Sequence, residues 1–109
     1  MQKSTYELRY LPLFYEDLND KVLYIAVEKQ NPKAAADLVD KVEKAILDRL
    51  PFAESFEPYK SRFEREHTYY RIYVDNSEVY YVVIGEDDGH KIMEVRRFLY
   101  FRQNKTEIV

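Results

Sequence analysis

Residues 31–51 read NPKAAADLVDKVEKAILDRLP, and how this stretch folds decides the rest of the chain. Ala35, Leu38, Val39, Val42, Ala45, Ile46 and Leu50 recur at three- and four-residue steps, so a helix of 3.6 residues per turn gathers them into one apolar stripe. Asn31 is suited to cap the free backbone amides, Pro32 is pre-set for the first helical position, and Pro51 bounds the far end. A stripe of this width needs a second layer to cover it.

Towards the N-terminus, PLFYEDLNDKVLYIAVEKQ (12–30) places Phe14, Leu18, Val22, Ile25 and Ala26 at helical spacing, with Pro12 near the first turn. The Asn31-Pro32 pair ends this helix and starts the next, and so short a connection predicts an antiparallel helical hairpin. Before it, TYELRYL (5–11) alternates Tyr6, Leu8 and Tyr10 against Glu7 and Arg9, the period of a half-buried strand.

Towards the C-terminus, residues 51–68 lack sustained periodicity and read as a loop with a brief strand or turn near Tyr59. Three strand-like runs follow: YYRIYV (69–74), EVYYVVIG (78–85) and KIMEVRRFLYF (91–101), separated by Asp75-Asn76-Ser77 and by Asp87-Asp88-Gly89-His90. Such short connections predict an antiparallel meander. Val79 to Ile84 is apolar on both sides and suits the middle of a sheet. The order of strand, two helices and three strands predicts a two-layer α+β fold in a single domain over residues 1–109, with the Leu38, Val42, Ile46 stripe on one sheet face against Val79, Tyr81 and Val83.

Composition narrows the function. Cysteine is absent, which removes thiolate catalysis and cysteine-held zinc. Two glycines leave no phosphate-cradling loop, and two separated histidines offer no metal-ligand cluster, so neither cofactor nor metal is expected. The formal charge of −3 argues against coating nucleic acid by bulk electrostatics. That charge is uneven: residues 1–59 hold eight Lys/Arg against eleven Asp/Glu, and residues 60–109 hold nine against nine, with several of the acids in turns. The remainder of this half is therefore locally basic, chiefly through Lys60, Arg62, Arg65, Arg71, Arg96, Arg97 and Arg102. No signal core and no run of about 18 apolar residues is present, so a soluble cytoplasmic protein without a membrane partner is expected.

Over nearly its whole length the chain resembles the RelE/ParE superfamily of toxins from type II toxin–antitoxin operons, the plasmid-stabilisation proteins. The resemblance is carried by YELRYLPLFYEDLNDKVLYIA followed by NPKAAADLVDKVEKAI, by YYRIYV after the loop, and by VRRFLYFRQN at the end. It implies a toxin neutralised by a cognate antitoxin encoded by the adjacent gene. The target would be mRNA on the ribosome, cleaved by a metal-independent endoribonuclease, or DNA gyrase, and a homodimer stays open. A degenerate toxin fold acting as a non-toxic interaction module is the alternative.

Metal-free RNA cleavage needs a base for the 2′-hydroxyl, cations for the phosphoryl charge and an acid for the leaving oxygen. Arg71, Arg97 and Arg102 suit phosphate, because guanidinium offers a planar fork to its oxygens. Tyr100 stands where family members have histidine or tyrosine and is the candidate acid or base-stacking ring. Glu78 lies where relatives carry an arginine; it either supplies a carboxylate base or marks the loss of nuclease chemistry, and the second reading is the stronger. Strand alternation places Arg96 and Arg97 on opposite faces, one of them as a salt-bridge partner for a glutamate. His67 and His90 have no evident partner. Tyr15, Tyr24 and Phe56 lie off the stripes and are expected to be exposed anchors for a partner.

Overall fold

The computed structural model describes residues 5–59, 67–85 and 89–100. Strand β1 (Thr5–Tyr10) leads into helix α1 (Pro12–Leu23), which continues as a π-helical turn over Tyr24–Glu28. Helix α2 (Pro32–Arg49) follows and ends in a 3-10 turn at Leu50–Phe52. Strands β2 (Tyr69–Val74), β3 (Ser77–Gly85) and β4 (His90–Tyr100) complete the chain. This is the α+β arrangement expected from the sequence.

The strand order is β1-β4-β3-β2, with the meander antiparallel and β1 parallel to β4, so the sheet is mixed. The parallel pairing follows from the path of the helices. Leu11 donates its amide to the Val95 carbonyl at 2.9 Å, and α1 then carries on along β4, with Asp17 beside Arg97 and Phe98 and Lys21 over the Tyr100 ring. α2 returns the chain across the sheet: Lys41 pairs with Asp75 at the β2–β3 turn, while Arg49 reaches Tyr81.

Helix starts behave as their residues dictate. Pro12 and Pro32 both occupy the first turn, and the Asn31 side chain accepts the Ala34 amide at 3.1 Å. Gln30, just before that cap, takes a positive φ of 50°, which closes the hairpin. Asp75 does the same at 52° in the β2–β3 turn.

The core lies between the helices and one sheet face. Phe14, Leu38, Val42 and Ile46 meet Ile72, Val79, Tyr81, Met93, Val95 and Phe98 there, and Val83 packs at its margin. The α2 stripe is narrower than the sequence suggests: Val39 is exposed and Leu50 half-buried, because the sheet covers only the inner arc of the helix. A second, smaller cluster of Tyr69, Tyr80, Val82 and Leu99 occupies the other face, with Tyr59 and Ile84 against it.

Strict alternation fails at one point in β4, beside Arg96, which reaches Tyr69 of the smaller cluster, and Arg97, which reaches Asp17 of α1. Val95 and Phe98 both enter the helix-side core although two residues separate them, and the β3–β4 register shifts between Tyr80 and Tyr81 to allow it. Both arginines therefore sit in the irregular stretch between two inward residues.

Candidate functional site

The far face of the sheet, away from the helices, carries a polar cluster on adjacent strands. Tyr73 and Glu78 pair across β2 and β3, as do Arg71 and Tyr80, which puts all four side chains on one face. Tyr80 is fully buried and donates its hydroxyl to Glu78 Oε2. Arg71 Nη1 lies 3.7 Å from the same oxygen and the guanidinium also hydrogen-bonds the Tyr80 hydroxyl. Burial first, and then the bond to Glu78, push the Tyr80 pKa well above the ordinary tyrosine value, so the ring stays neutral.

Two further rings flank the guanidinium. Its centre is 5.0 Å from the Tyr59 centroid and 4.7 Å from that of Tyr73, and Tyr73 is 65% exposed. Tyr59 is placed by its amide, which donates to the Tyr69 carbonyl at 2.7 Å, and its ring meets Tyr80 edge-on at 5.1 Å. Arg71 thus presents one partly exposed edge between two aromatic walls.

A second buried carboxylate lies on the same face of β4. Glu94, only 6% exposed, is paired with Arg9 at 3.5 Å and with Arg96 at 2.9 Å, and Arg96 reaches the Tyr69 hydroxyl at 3.4 Å. The glutamate expected to pair with one of the two adjacent arginines is therefore Glu94, two residues away on the same strand rather than across it.

Arg97 is engaged differently. Its Nε and Nη2 donate to the two Asp17 oxygens at 2.7 and 3.0 Å, and the Phe98 amide donates to Asp17 Oδ2 at 3.0 Å. β1 pairs with β4 only as far as Val95, so the α1 carboxylate takes up a strand-edge donor that would otherwise have no partner. Tyr100 is covered by Lys21, whose Nζ is 4.3 Å from the ring centroid.

The structure brings Arg71 and Glu78 together and sets Arg97 and Tyr100 beside α1, while Arg102 lies outside the described residues. The sequence reading passed over Tyr80, Tyr59 and Glu94. Tyr80 could have been found from its two-residue spacing to Glu78 on one strand, and Glu94 as a lone acid inside the apolar run of a central strand. Of the histidines, His90 lies 3.8 Å from Glu7 Oε2. Among the described residues no group of three or more metal-ligating side chains converges. Among the described residues no helix is long and apolar enough to cross a membrane.

Chemically, the far-face cluster offers a fixed guanidinium, a neutral buried phenol and a carboxylate already holding both. Such a set recognises anionic or planar groups through the open edge of Arg71. A Glu78 that accepts from Tyr80 and neighbours Arg71 is poorly disposed to take a proton from a substrate hydroxyl. No protein-family profile matches the chain, and no characterised protein matches its sequence significantly.

Proposed function

We propose that this chain is a toxin of the RelE/ParE type, neutralised by a cognate antitoxin, and that it acts on its target by binding rather than by cutting RNA. The observation that carries the second half is the state of Glu78. In the position where relatives have arginine, it accepts the Tyr80 hydroxyl and pairs with Arg71, so the far face lacks a free base. The first half is supported by the element order and by the helical hairpin opened at Asn31-Pro32, which agree with the architecture the resemblance implies. On this reading DNA gyrase is the favoured target over ribosome-bound mRNA.

The test uses purified protein in two assays. It should block supercoiling by gyrase and leave ribosome-bound mRNA intact. Cleavage of mRNA in the ribosomal A site would overturn the binding-only reading. A second reading, a non-toxic interaction module with the same fold, is favoured by the internal pairing of Arg71, Arg96 and Arg97 with Glu78, Glu94 and Asp17. Unchanged growth on high-level expression without a partner would select it.

A further inference from the structure

We propose that the seam between α1 and α2 is a docking groove for an apolar protein segment that carries a basic side chain, its cationic group seated against Tyr10 and Tyr15 and paired with Glu43. This deepens the partner half of the reading above, and rests on it only in taking the occupant to be a protein segment.

The groove has two joined parts. The inner one, about 270 Å³, is lined by Tyr10, Phe14, Tyr15, Val42 and Glu43 among others; the outer one, about 470 Å³, continues past Tyr15 to Glu16 and Val22. Leu18 and Val39 belong to both, so one apolar floor runs the length of the seam. At its inner end three rings meet, with centroids 5.3 Å apart for Tyr10–Phe14, 5.4 Å for Tyr10–Tyr15 and 5.7 Å for Phe14–Tyr15. Ring faces attract a guanidinium or ammonium group, and the apolar floor suits the methylene stem behind it.

The charge at the rim selects the sign of the occupant. Lys33, Lys41 and Lys44 of α2 are each paired with another carboxylate, Asp37, Asp75 and Asp48. Glu43 and Glu16 form no ion pair among the described residues, and Glu43 stands close enough to Tyr10 to act on it. Burial first, then Tyr15 and Glu43, raise the Tyr10 pKa above its ordinary value, which keeps that ring neutral beside the carboxylate. An acidic segment would set like charges together at Glu43 and Glu16; a basic one neutralises them.

The probe is N-acetyl-arginine amide, titrated into the 15N-labelled full chain, with N-acetyl-citrulline amide as its neutral isostere. Arginine amide should give saturable shifts at Tyr10, Tyr15 and Glu43, and Glu43→Gln, an exposed change, should weaken binding about two- to fivefold, the size of an exposed ion pair or cation–π contact. Equal binding of the citrulline probe, no effect of Glu43→Gln, or no saturable shift at the seam would overturn the proposal. Seam shifts that grow with protein concentration alone would also overturn it, by assigning the groove to a second copy. The titration reads the groove independently of growth: a chain that never arrests cells and still binds arginine amide here loses the toxin reading and keeps this one.

Discussion

On the helix side of the sheet, Val79, Tyr81, Met93 and Val95 are closed off by Phe14, Val42 and Ile46; on the far side, Tyr80, Val82 and Leu99 are as inaccessible, yet they share their surface with the carboxylates of Glu78 and Glu94. The first face buries apolar area, and the Tyr81 hydroxyl within it donates to the Ala53 carbonyl at 2.7 Å and accepts from Arg49 Nη1 at 3.0 Å. The second buries ions: Glu78 is held by Arg71 and Tyr80, and Glu94 by Arg9 and Arg96. Hydrophobic burial is the cheaper way to close a surface, because a buried ion pair regains little more than its desolvation cost. Two such pairs on one face fit the recognition role proposed for it.

Removing atoms from the helix side should produce the largest loss. Ile46 is 1% exposed, and Ile46→Ala should destabilise by about 2–5 kcal/mol in denaturant unfolding. A loss below about 0.5 kcal/mol, the scale of a surface change, would mean that this face is not the core.

The far face should respond in a different pattern. Arg71→Met leaves the Glu78 carboxylate, 8% exposed, without its guanidinium and should cost about 1–3 kcal/mol, moderated because solvent reaches Arg71. Replacing both partners, Arg71→Met with Glu78→Leu, should recover part of that loss, the remainder reflecting the buried Tyr80 hydroxyl, which then lacks its acceptor. A double variant less stable than the single one would show that the carboxylate stabilises this face even without its guanidinium, and would remove the contrast between the faces.

Capping gives a smaller effect. Asn31→Ala removes the acceptor for the Ala34 amide and should cost about 1 kcal/mol by the same unfolding assay. An unchanged midpoint would mean that water replaces the cap at no cost.

The smallest expected effect appears at acid pH. The Lys91 hydrogen bond, aided by Tyr6 and opposed by burial, holds the Glu54 carboxyl below its ordinary pKa. A folded-state pKa that is depressed gives stability above the unfolded value, about 4.3, and loses it as pH falls through the folded one. Glu54→Gln should therefore lower the melting temperature slightly at neutral pH and flatten its decline in acid. Parallel acid limbs for parent and variant would contradict the shift.

How far the sequence could be read follows the same division. Leu38, Val42 and Ile46 are legible because one helical period points them at one surface, and Asn31-Pro32 because cap and first turn use opposite properties of adjacent residues. The direction of β1 was not legible, since it depends on where α1 lies against β4, and that is fixed by Asp17 meeting Arg97 and Phe98 eighty residues away. The bulge beside Arg96 and Arg97 was not legible, because it leaves no mark in a run of strand-forming residues. Of the candidate site, Arg71 and Glu78 could be named individually. Their meeting through Tyr80 depends on the β2–β3 register, which the turn at Asp75-Asn76 sets.

The central claim is that the far face carries a toxin's recognition site while the helix side carries the fold. The most direct measurement is growth after induction of the chain alone, compared with the Arg71→Met, Glu78→Leu double variant, its unfolding transition showing that it is folded at the growth temperature. The parent should arrest growth and the folded double variant should not. Arrest by both would place the functional surface elsewhere, and growth with both would contradict the toxin reading itself.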